Sequence, residues 1–334
     1  MNDVSTEARS GLLGNFRASG VYHRLLAFSG LIVLVIAFSI ASPNFMQTAN
    51  IINILQAASV NGVLAVAATL VIISGGIDLS VGTLMTFCSV IAGVFMTYWG
   101  LPEIIGVPAA LVTGLVSGAV SGFFIAKLKI PPFISTLGMM LIYKGLSLGI
   151  TSAKPIYFNS TPGFGDISTG SLIGVLVPAV PIPNSVVILF LVAIIAAFVL
   201  GRTALGRFTF AMGSNEEALR LSGVNVNRWK IAVYALAGCV CGVAGIILAS
   251  RINSAQPSIG QGYELNAIPA VVIGGTSLSG GRGTMLGTIV GTLIISVVAD
   301  GLVILSVPQE WQTVVTGAII IVAVYTDILR RRGT

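Results

Sequence analysis

Few residues in this chain could take part in acid–base, nucleophilic or metal chemistry. The single histidine, His23, lies in a polar leader. The three cysteines, Cys88, Cys239 and Cys241, all lie inside apolar runs, where small buried side chains are more common than metal ligands or redox pairs. A serine protease triad or a zinc protease site therefore lacks its residues. The most unusual candidate is an acid, Asp78, within the apolar stretch VIISGGIDLSVGTLM.

Asp78 has two interpretations. An ionisable residue within a membrane segment often marks a transport path or a proton relay. The neighbouring residues Gly75, Gly76 and Ser80 favour a turn instead, in which the glycines end one helix and Asp78 caps the start of the next. The two interpretations are compatible, because a helix break at membrane depth usually lines a cavity.

The composition places the chain among membrane proteins. Hydrophobic residues make up 55% of the sequence and charged residues only 8%, values far from those of soluble domains. Because about 20 apolar residues span a bilayer as a helix, we expect an all-α polytopic membrane protein with about ten transmembrane segments. The expected segments are 25–42, 52–74, 80–99, 104–126, 133–151, 185–201, 231–250, 265–276, 284–305 and 311–327.

The distribution of basic residues predicts the orientation. Cytoplasmic loops of membrane proteins carry an excess of lysine and arginine. With a cytoplasmic leader (1–24), a transmembrane domain (25–327) and a basic cytoplasmic tail (328–334), all of the 17 basic residues except Lys144, Lys154 and Arg251 fall inside. We therefore expect both termini in the cytoplasm, and the first apolar run to be a signal anchor rather than a cleaved signal peptide.

Glycines recur at four-residue spacing in three of the expected segments. Such spacing lets helix backbones approach closely where lipid removes the hydrophobic drive for association. We favour helix packing over a glycine-lined path for these positions. They are Gly114, Gly118 and Gly122, then Gly238 and Gly242, then Gly287 and Gly291.

The stretch around Asp78 is repeated about two hundred residues later. Aligning Gly75–Ser80, the first break, with Gly274–Ser279, the second break, matches both glycines, the leucine and the serine. Interrupted hydrophobic segments in corresponding positions of two halves point to a translocation path, although two capped turns would give the same pattern. The orientation puts both breaks near the inner surface, so we predict a path or gate at Gly75, Gly76, Asp78, Ser80, Gly274, Gly275, Ser277 and Ser279.

A polar stretch, GSNEEALRLSG, interrupts the apolar segments on the predicted cytoplasmic side. Ser214 and Glu217 have the spacing of a capping box, Glu216 suits the helix start, and Gly223 suits its end. A helix of about two turns is too short to span a bilayer. Its defined ends favour a surface for docking a partner over a bare linker.

These motifs resemble a known family. Glu217-Ala218-Leu219 followed by Gly223 is similar to the EAA-and-glycine loop of ABC importer permeases. Together with SGGIDLSVG and GYELNAIPAVVIGGTSLSGGRG, it resembles the ribose-type sugar permeases of bacterial ABC importers. The likeness runs from Ile51 to Asp327, with Asn266 and Pro269 replacing the family's usual aspartate and alanine.

The resemblance implies a type II importer fold and no catalytic site. It also implies a multi-pass protein of the bacterial inner membrane, paired as a homodimer or with a related permease. ATP and Mg would bind a separate ATP-binding cassette subunit, since no G-x-x-x-x-G-K-[ST] sequence occurs here. A periplasmic binding protein would deliver ribose or a similar pentose or hexose. The expected coupling contacts are Ser214, Asn215, Glu216, Glu217, Ala218, Leu219, Arg220 and Gly223.

Two further groups of polar residues are candidates on this interpretation. At the outer face Arg251, Gln256 and Glu264 could meet the binding protein, or could be ordinary loop residues. A sugar path needs hydrogen-bonding walls, for which the candidates are Ser74, Asp78, Ser80, Thr83, Asn61, Gln56, Ser277 and Ser279. A secondary sugar transporter or facilitator would share the hydropathy and the repeat, but it would have no ATP-binding subunit to engage.

Overall fold

The computed structural model describes residues 20–177 and 181–332. Arg9 and Arg17 of the predicted leader lie outside these ranges. Within them the chain forms the α-helices α1 (Gly20–Ala41), α2 (Thr48–Ile73), α3 (Val81–Gly93), α4 (Glu103–Ala126), α5 (Pro132–Thr151), α6 (Leu172–Leu176), α7 (Asn184–Arg202), α8 (Ala204–Leu221), α9 (Val226–Ile252), α10 (Glu264–Ile273), α11 (Met285–Ile304) and α12 (Gln309–Arg332). A π-helical turn (Val94–Tyr98) extends α3, and a 3-10 turn (Phe164–Ile167) and two short strands, β1 (Ile156–Tyr157) and β2 (Ser254–Ala255), complete the fold.

A helix lies in each of the segments that the sequence predicted to cross the membrane. Among the described residues, seven helices are long and apolar enough to do so: α2, α3 with its π-helical turn, α4, α5, α7, α9 and α11. The chain is therefore an all-α, multi-pass membrane protein. Helix α9 starts at Val226 rather than at the predicted residue 231, because Asn225 Oδ1 accepts a hydrogen bond from the Arg228 amide at 3.1 Å.

The basic tail predicted from residue 328 is not a separate segment where it is described. Helix α12 continues through it to Arg332. Arginine is a good helix former, so the change from apolar to basic residues does not by itself end a helix.

Helix α2 is the centre of the bundle. Its side chains from Ala58 to Ile73 are almost all buried, and it packs against α7, α9, α10 and α11. The hydroxyl groups of Thr69 and Thr288 join α2 to α11 by a hydrogen bond of 2.7 Å. By contrast, Phe190, Ile194 and Phe198 lie at four-residue spacing on α7 and are 48%, 65% and 62% exposed, as a lipid-facing stripe requires.

The glycine stripes lie at close helix–helix contacts. On α4 and α9, a Cβ added at Gly238 would collide with the carbonyl oxygen of Gly114, and one at Gly118 with that of Tyr234. On α11, a Cβ at Gly291 would collide with the carbonyl oxygen of Ala270 on α10. The packing interpretation of these stripes thus agrees with the backbone contacts, which leave no room for a side chain.

We expect Gly238→Ala to destabilise the protein, because the added methyl group forces α4 and α9 apart. Overpacking of this kind costs about 1–3 kcal/mol, and it should lower the melting temperature in detergent. Gly138→Ala on α5 is the matched control, since nothing lies within 4 Å of its Cβ position. Equal melting temperatures for the two variants would contradict this account of the α4–α9 contact.

Candidate functional site

The predicted docking helix is the last part of α8, set off by a break at Asn215. Asn215 has extended backbone angles (φ −159°, ψ 97°), and its Oδ1 accepts a hydrogen bond from the Ala218 amide at 2.9 Å. The cap is therefore Asn215 and not Ser214, because α8 remains helical up to Ser214 and the chain turns one residue later. Gly223 follows the helix end with a φ of +85°, a conformation that glycine adopts without strain.

We call residues 214–223 the EAA segment. Glu216 ties it to the start of α9 through an ion pair with Lys230 at 2.6 Å and adds a second, with Arg220, at 2.7 Å. Burial acts to raise the pKa of Glu216, but the hydrogen bond and charge of Lys230, helped by Arg220 and Lys129, outweigh it and lower that pKa. The segment is thus held against the bundle by charge.

The outer side of the EAA segment is a solvent-facing surface. Leu219 is half-buried and packs against the core, so it anchors the segment rather than pointing outward. Leu221, which the sequence did not single out, is 83% exposed. The other exposed members are Ser214, Asn215, Glu217, Ala218, Arg220, Ser222 and Gly223. An exposed leucine among polar residues on a short helix is a typical anchor for a partner's groove.

The two breaks share one backbone structure. At the end of α2 the amide of Gly75 bonds to the carbonyl of Ile72 and that of Gly76 to Val71. At the end of α10 the amide of Gly275 bonds to Val272 and that of Thr276 to Val271. Both are Schellman ends with a left-handed glycine, at φ +83° and +90° respectively.

This geometry changes the alignment of the repeat by one residue. Gly75 corresponds to Gly275, not to Gly274, because these are the two glycines with positive φ. Asp78 then corresponds to Leu278 and not to Ser277. The sequence alignment could not show this shift, because Gly274 and Gly275 are adjacent glycines and only Gly275 is left-handed.

The starts of the helices after the two breaks also differ. Asp78 Oδ1 accepts hydrogen bonds from the Ser80 amide at 2.8 Å and from the Ser80 hydroxyl at 2.6 Å, directly before α3. Ser277 does not cap a helix, because its hydroxyl pairs with that of Ser279. Helix α11 is capped by Thr284, whose hydroxyl accepts from the Gly287 amide at 3.2 Å.

The breaks lie against each other within one chain. The Gly281 amide donates to the Ile73 carbonyl at 2.9 Å, so the loop after α10 is bonded to the end of α2. Among the predicted path residues, Gly75, Gly275 and Ser279 are exposed, while Gly76, Asp78 and Ser80 are buried. The breaks therefore form one packed unit with a narrow exposed edge.

Comparison with known proteins identifies the family. The family model described as "Branched-chain amino acid transport system / permease component" matches residues 50–324. The ribose import permease protein RbsC of Bacillus subtilis (strain 168) is 42% identical over 310 residues, covering 92% of this chain and 94% of that protein. The chain belongs to this family of permease components.

Two other relatives of the permease are named for different sugars. The fructose import permease protein FrcC of Rhizobium meliloti is 38% identical over 305 residues, 89% of this chain and 83% of that protein. The xylose transport system permease protein XylH of Haemophilus influenzae (strain ATCC 51907 / DSM 11121 / KW20 / Rd) is 32% identical over 366 aligned positions, 93% and 97% of the two chains. No solved structure matches the permease. Family membership makes the chain a transport subunit rather than an enzyme.

Most hydroxyl groups that could line a path in the permease already have partners in the chain. Ser74 donates to the Val71 carbonyl at 2.7 Å and Thr83 to that of Ser80 at 3.1 Å. Gln56 and Asn61 are half-buried on α2, and Asn61 Oδ1 has no hydrogen-bond partner among the described residues. These two amides are the better placed to accept new partners.

The three residues predicted at the outer face of the permease are not equivalent. Arg251 and Gln256 are half-buried. Glu264 is only 7% exposed, and both its carboxylate oxygens accept from the Gly262 amide, at 3.0 and 3.1 Å. Its burial against Gly82, one residue into α3, removes Glu264 from any surface that a partner could reach in this conformation.

The ion pairs of Glu216 should make the attachment of the EAA segment depend on pH. Because the folded-state pKa of Glu216 is below its ordinary value of 4.5, its stabilisation is present above that value and is lost as the pH falls through the lowered pKa. A spin label at Ala218→Cys should therefore become more mobile as the pH drops below 4.5.

Lys230→Met is the control for this measurement. With the lysine removed, the label should already be more mobile at pH 7 and should change less on acidification. The same pH profile in both backgrounds would show that the Glu216–Lys230 pair does not hold the segment.

Proposed function

We propose that the chain is the transmembrane permease subunit of an ATP-driven ABC importer that translocates a monosaccharide. The observation that carries the proposal is the exposed EAA segment, which is ion-paired to α9. It also lies beside the two breaks, because Gly75 approaches Gly213 and Gly281 approaches Ser214. A docking helix in this position could receive movement from a soluble subunit and pass it to the membrane helices.

The substrate we propose is ribose or a similar pentose or hexose. The family description mentions branched-chain amino acids, but the relatives quoted above are named for ribose, fructose and xylose. Sugars need hydrogen-bonding groups and no counter-charge, which agrees with a path built from hydroxyl and amide side chains such as Gln56 and Asn61.

The proposed partners are a cytoplasmic ATP-binding cassette subunit, which holds ATP and Mg, and a periplasmic sugar-binding protein. We place Arg251 and Gln256 among the residues that meet the binding protein. We further propose a permease homodimer, or a pair with a related permease, so that the translocation path with the exposed edges at Gly75, Gly275 and Ser279 lies between two copies.

We propose ten membrane spans in the bacterial inner membrane, with both termini cytoplasmic. Contacts at one end of the bundle support this orientation. There Lys129 Nζ donates to Asn227 Oδ1 at 3.1 Å, and Lys230 pairs with Glu216. The loops joined by these contacts carry a large share of the basic residues, as cytoplasmic loops do.

The proposed mechanism is rigid-body rocking driven from the EAA segment. ATP binding would close the two cassette subunits, and the docked segments would follow that movement. Because each segment is fixed to α9 and lies beside the breaks, the membrane helices would move with it and alternate the opening of the path.

Reversing the charge of Glu217 tests the proposal. Glu217 is exposed and forms no ion pair among the described residues, so Glu217→Lys should leave the fold intact and disturb the partner's surface. We expect a tagged permease to co-purify with an ATP-binding cassette subunit from its native membrane. The Glu217→Lys variant should co-purify with about tenfold less of that subunit. Glu310→Lys, at another exposed acid at the start of α12, is the matched control.

ATP-driven uptake of ribose should fall in parallel with this recovery. If the wild-type permease is purified without a cassette subunit and transports without ATP, the importer proposal fails. The chain would then be a secondary transporter. If Glu217→Lys recovers as much cassette subunit as Glu310→Lys, the permease proposal stands but its docking surface lies elsewhere.

Leu221 provides a second, apolar test of the docking surface. Burying an exposed leucine in a partner's groove contributes about 1.5–3 kcal/mol, so Leu221→Ser should weaken binding of the cassette subunit by at least about tenfold. Leu172→Ser on α6, at a leucine that is 67% exposed, is the control. Binding to detergent-solubilised permease can be measured by titration, and equal affinities of the two variants would exclude Leu221 from the interface.

A further inference from the structure

Gly213 connects the EAA segment to both breaks. It lies on α8 two residues before the turn at Asn215. A Cβ at Gly213 would collide with the carbonyl oxygen of Ile73, at the end of α2, and with the amide nitrogen of Gly281, in the loop after the second break. These two atoms are themselves joined by the 2.9 Å hydrogen bond between the breaks. The backbone of α8 therefore lies directly on the bond that joins the end of α2 to the loop after the second break.

Glycines form the other members of this contact between α8, the end of α2 and the loop after the second break. A Cβ at Gly280 would lie 2.9 Å from the Cα atoms of both Gly213 and Gly75, and one at Gly281 would lie 2.6 Å from the Ser214 hydroxyl oxygen. Gly75, Gly280 and Gly281 all have positive φ, at +83°, +85° and +73°. Three separate parts of the chain thus meet through backbone atoms, and the Ser214 side chain adds a contact with Gly281.

This arrangement differs from the glycine stripes of the bundle. A stripe joins two neighbouring helices, whereas Gly213 joins the predicted docking segment to the end of α2 and to the loop after the second break at one point. Backbone atoms in direct contact cannot change rotamer to absorb a displacement. A movement of the EAA segment is therefore passed on to both breaks.

We propose that Gly213, with Gly75, Gly280 and Gly281, forms a rigid joint through which the EAA segment moves both breaks as one body. Gly213 is a positioning residue: it contacts neither substrate nor partner, and it fixes the geometry between the docking surface and the path. The inference rests on the proposed function, because it assigns the route by which the cassette subunit acts on the path.

The first test is Gly213→Ala in the complete transporter, reconstituted in proteoliposomes with its cassette subunit and binding protein. Alanine favours the helical conformation of α8, so the damage comes from the collision at the joint. We expect the variant to bind the cassette subunit within about twofold of the wild type and to hydrolyse ATP, while uptake of ribose per ATP falls at least about tenfold. Gly201→Ala on α7, with nothing within 4 Å of its Cβ position, should behave as the wild type.

The second test uses the unmodified transporter and does not depend on a variant folding. The Gly281 amide, bonded to Ile73 at the joint, should resist hydrogen exchange equally in the resting complex and in the complex trapped with ATP and vanadate. Exchange at Gly223, in the exposed turn after the segment, reports the docking event itself and serves as the internal reference.

The outcomes separate the joint from the proposed function. Uptake per ATP at the wild-type level in Gly213→Ala, or loss of Gly281 protection in the trapped complex, overturns the rigid joint. If Gly213→Ala does not insert in the membrane, the exchange measurement decides alone. Failure of the wild-type permease to bind a cassette subunit overturns the function instead, and it is seen before any variant is made.

Discussion

The structure depends on how the chain pairs the backbone amide and carbonyl groups that are left without partners where its membrane helices end. Lipid offers no hydrogen-bond partners, so every amide and carbonyl freed at a helix end must be paired within the protein. At the ends of α2 and α10 the left-handed residues Gly75 and Gly275 fold the chain back onto its last carbonyls. The Ile73 carbonyl at the end of α2 accepts a hydrogen bond from the Gly281 amide. This bond determines where the end of α2 meets the loop after the second break.

That meeting point determines the position of the EAA segment. Because the two breaks present only backbone at their contact, α8 can approach them only with a glycine, and Gly213 occupies that place. The turn at Asn215 then redirects the chain outward, and Glu216 fixes the segment to α9 through Lys230. Backbone packing on one side and an ion pair on the other hold a short helix that could not be stable alone.

The sequence predicted the features that are encoded locally. Apolar length located the helices, adjacent glycines located the ends of α2 and α10, and acidic residues before Gly223 located the EAA segment. The sequence could not predict that Asn215 rather than Ser214 is the cap, since both residues suit that role. The one-residue shift between Gly75 and Gly275, the burial of Glu264 and the contacts of Gly213 depend on segments distant in the chain, and no local pattern reports them.

The same internal bonding bears on substrate selectivity. The hydroxyl groups near the first break already donate hydrogen bonds within the chain: those of Ser74 and Thr83 to backbone carbonyls, and that of Ser80 to Asp78. A sugar would therefore meet few free donors among them. The proposed path would therefore hold its substrate loosely, and loose contacts discriminate poorly between hydroxyl-rich molecules of similar size. This agrees with the proposal that a separate binding protein chooses the sugar, and with the different sugars, ribose, fructose and xylose, for which related permeases are named.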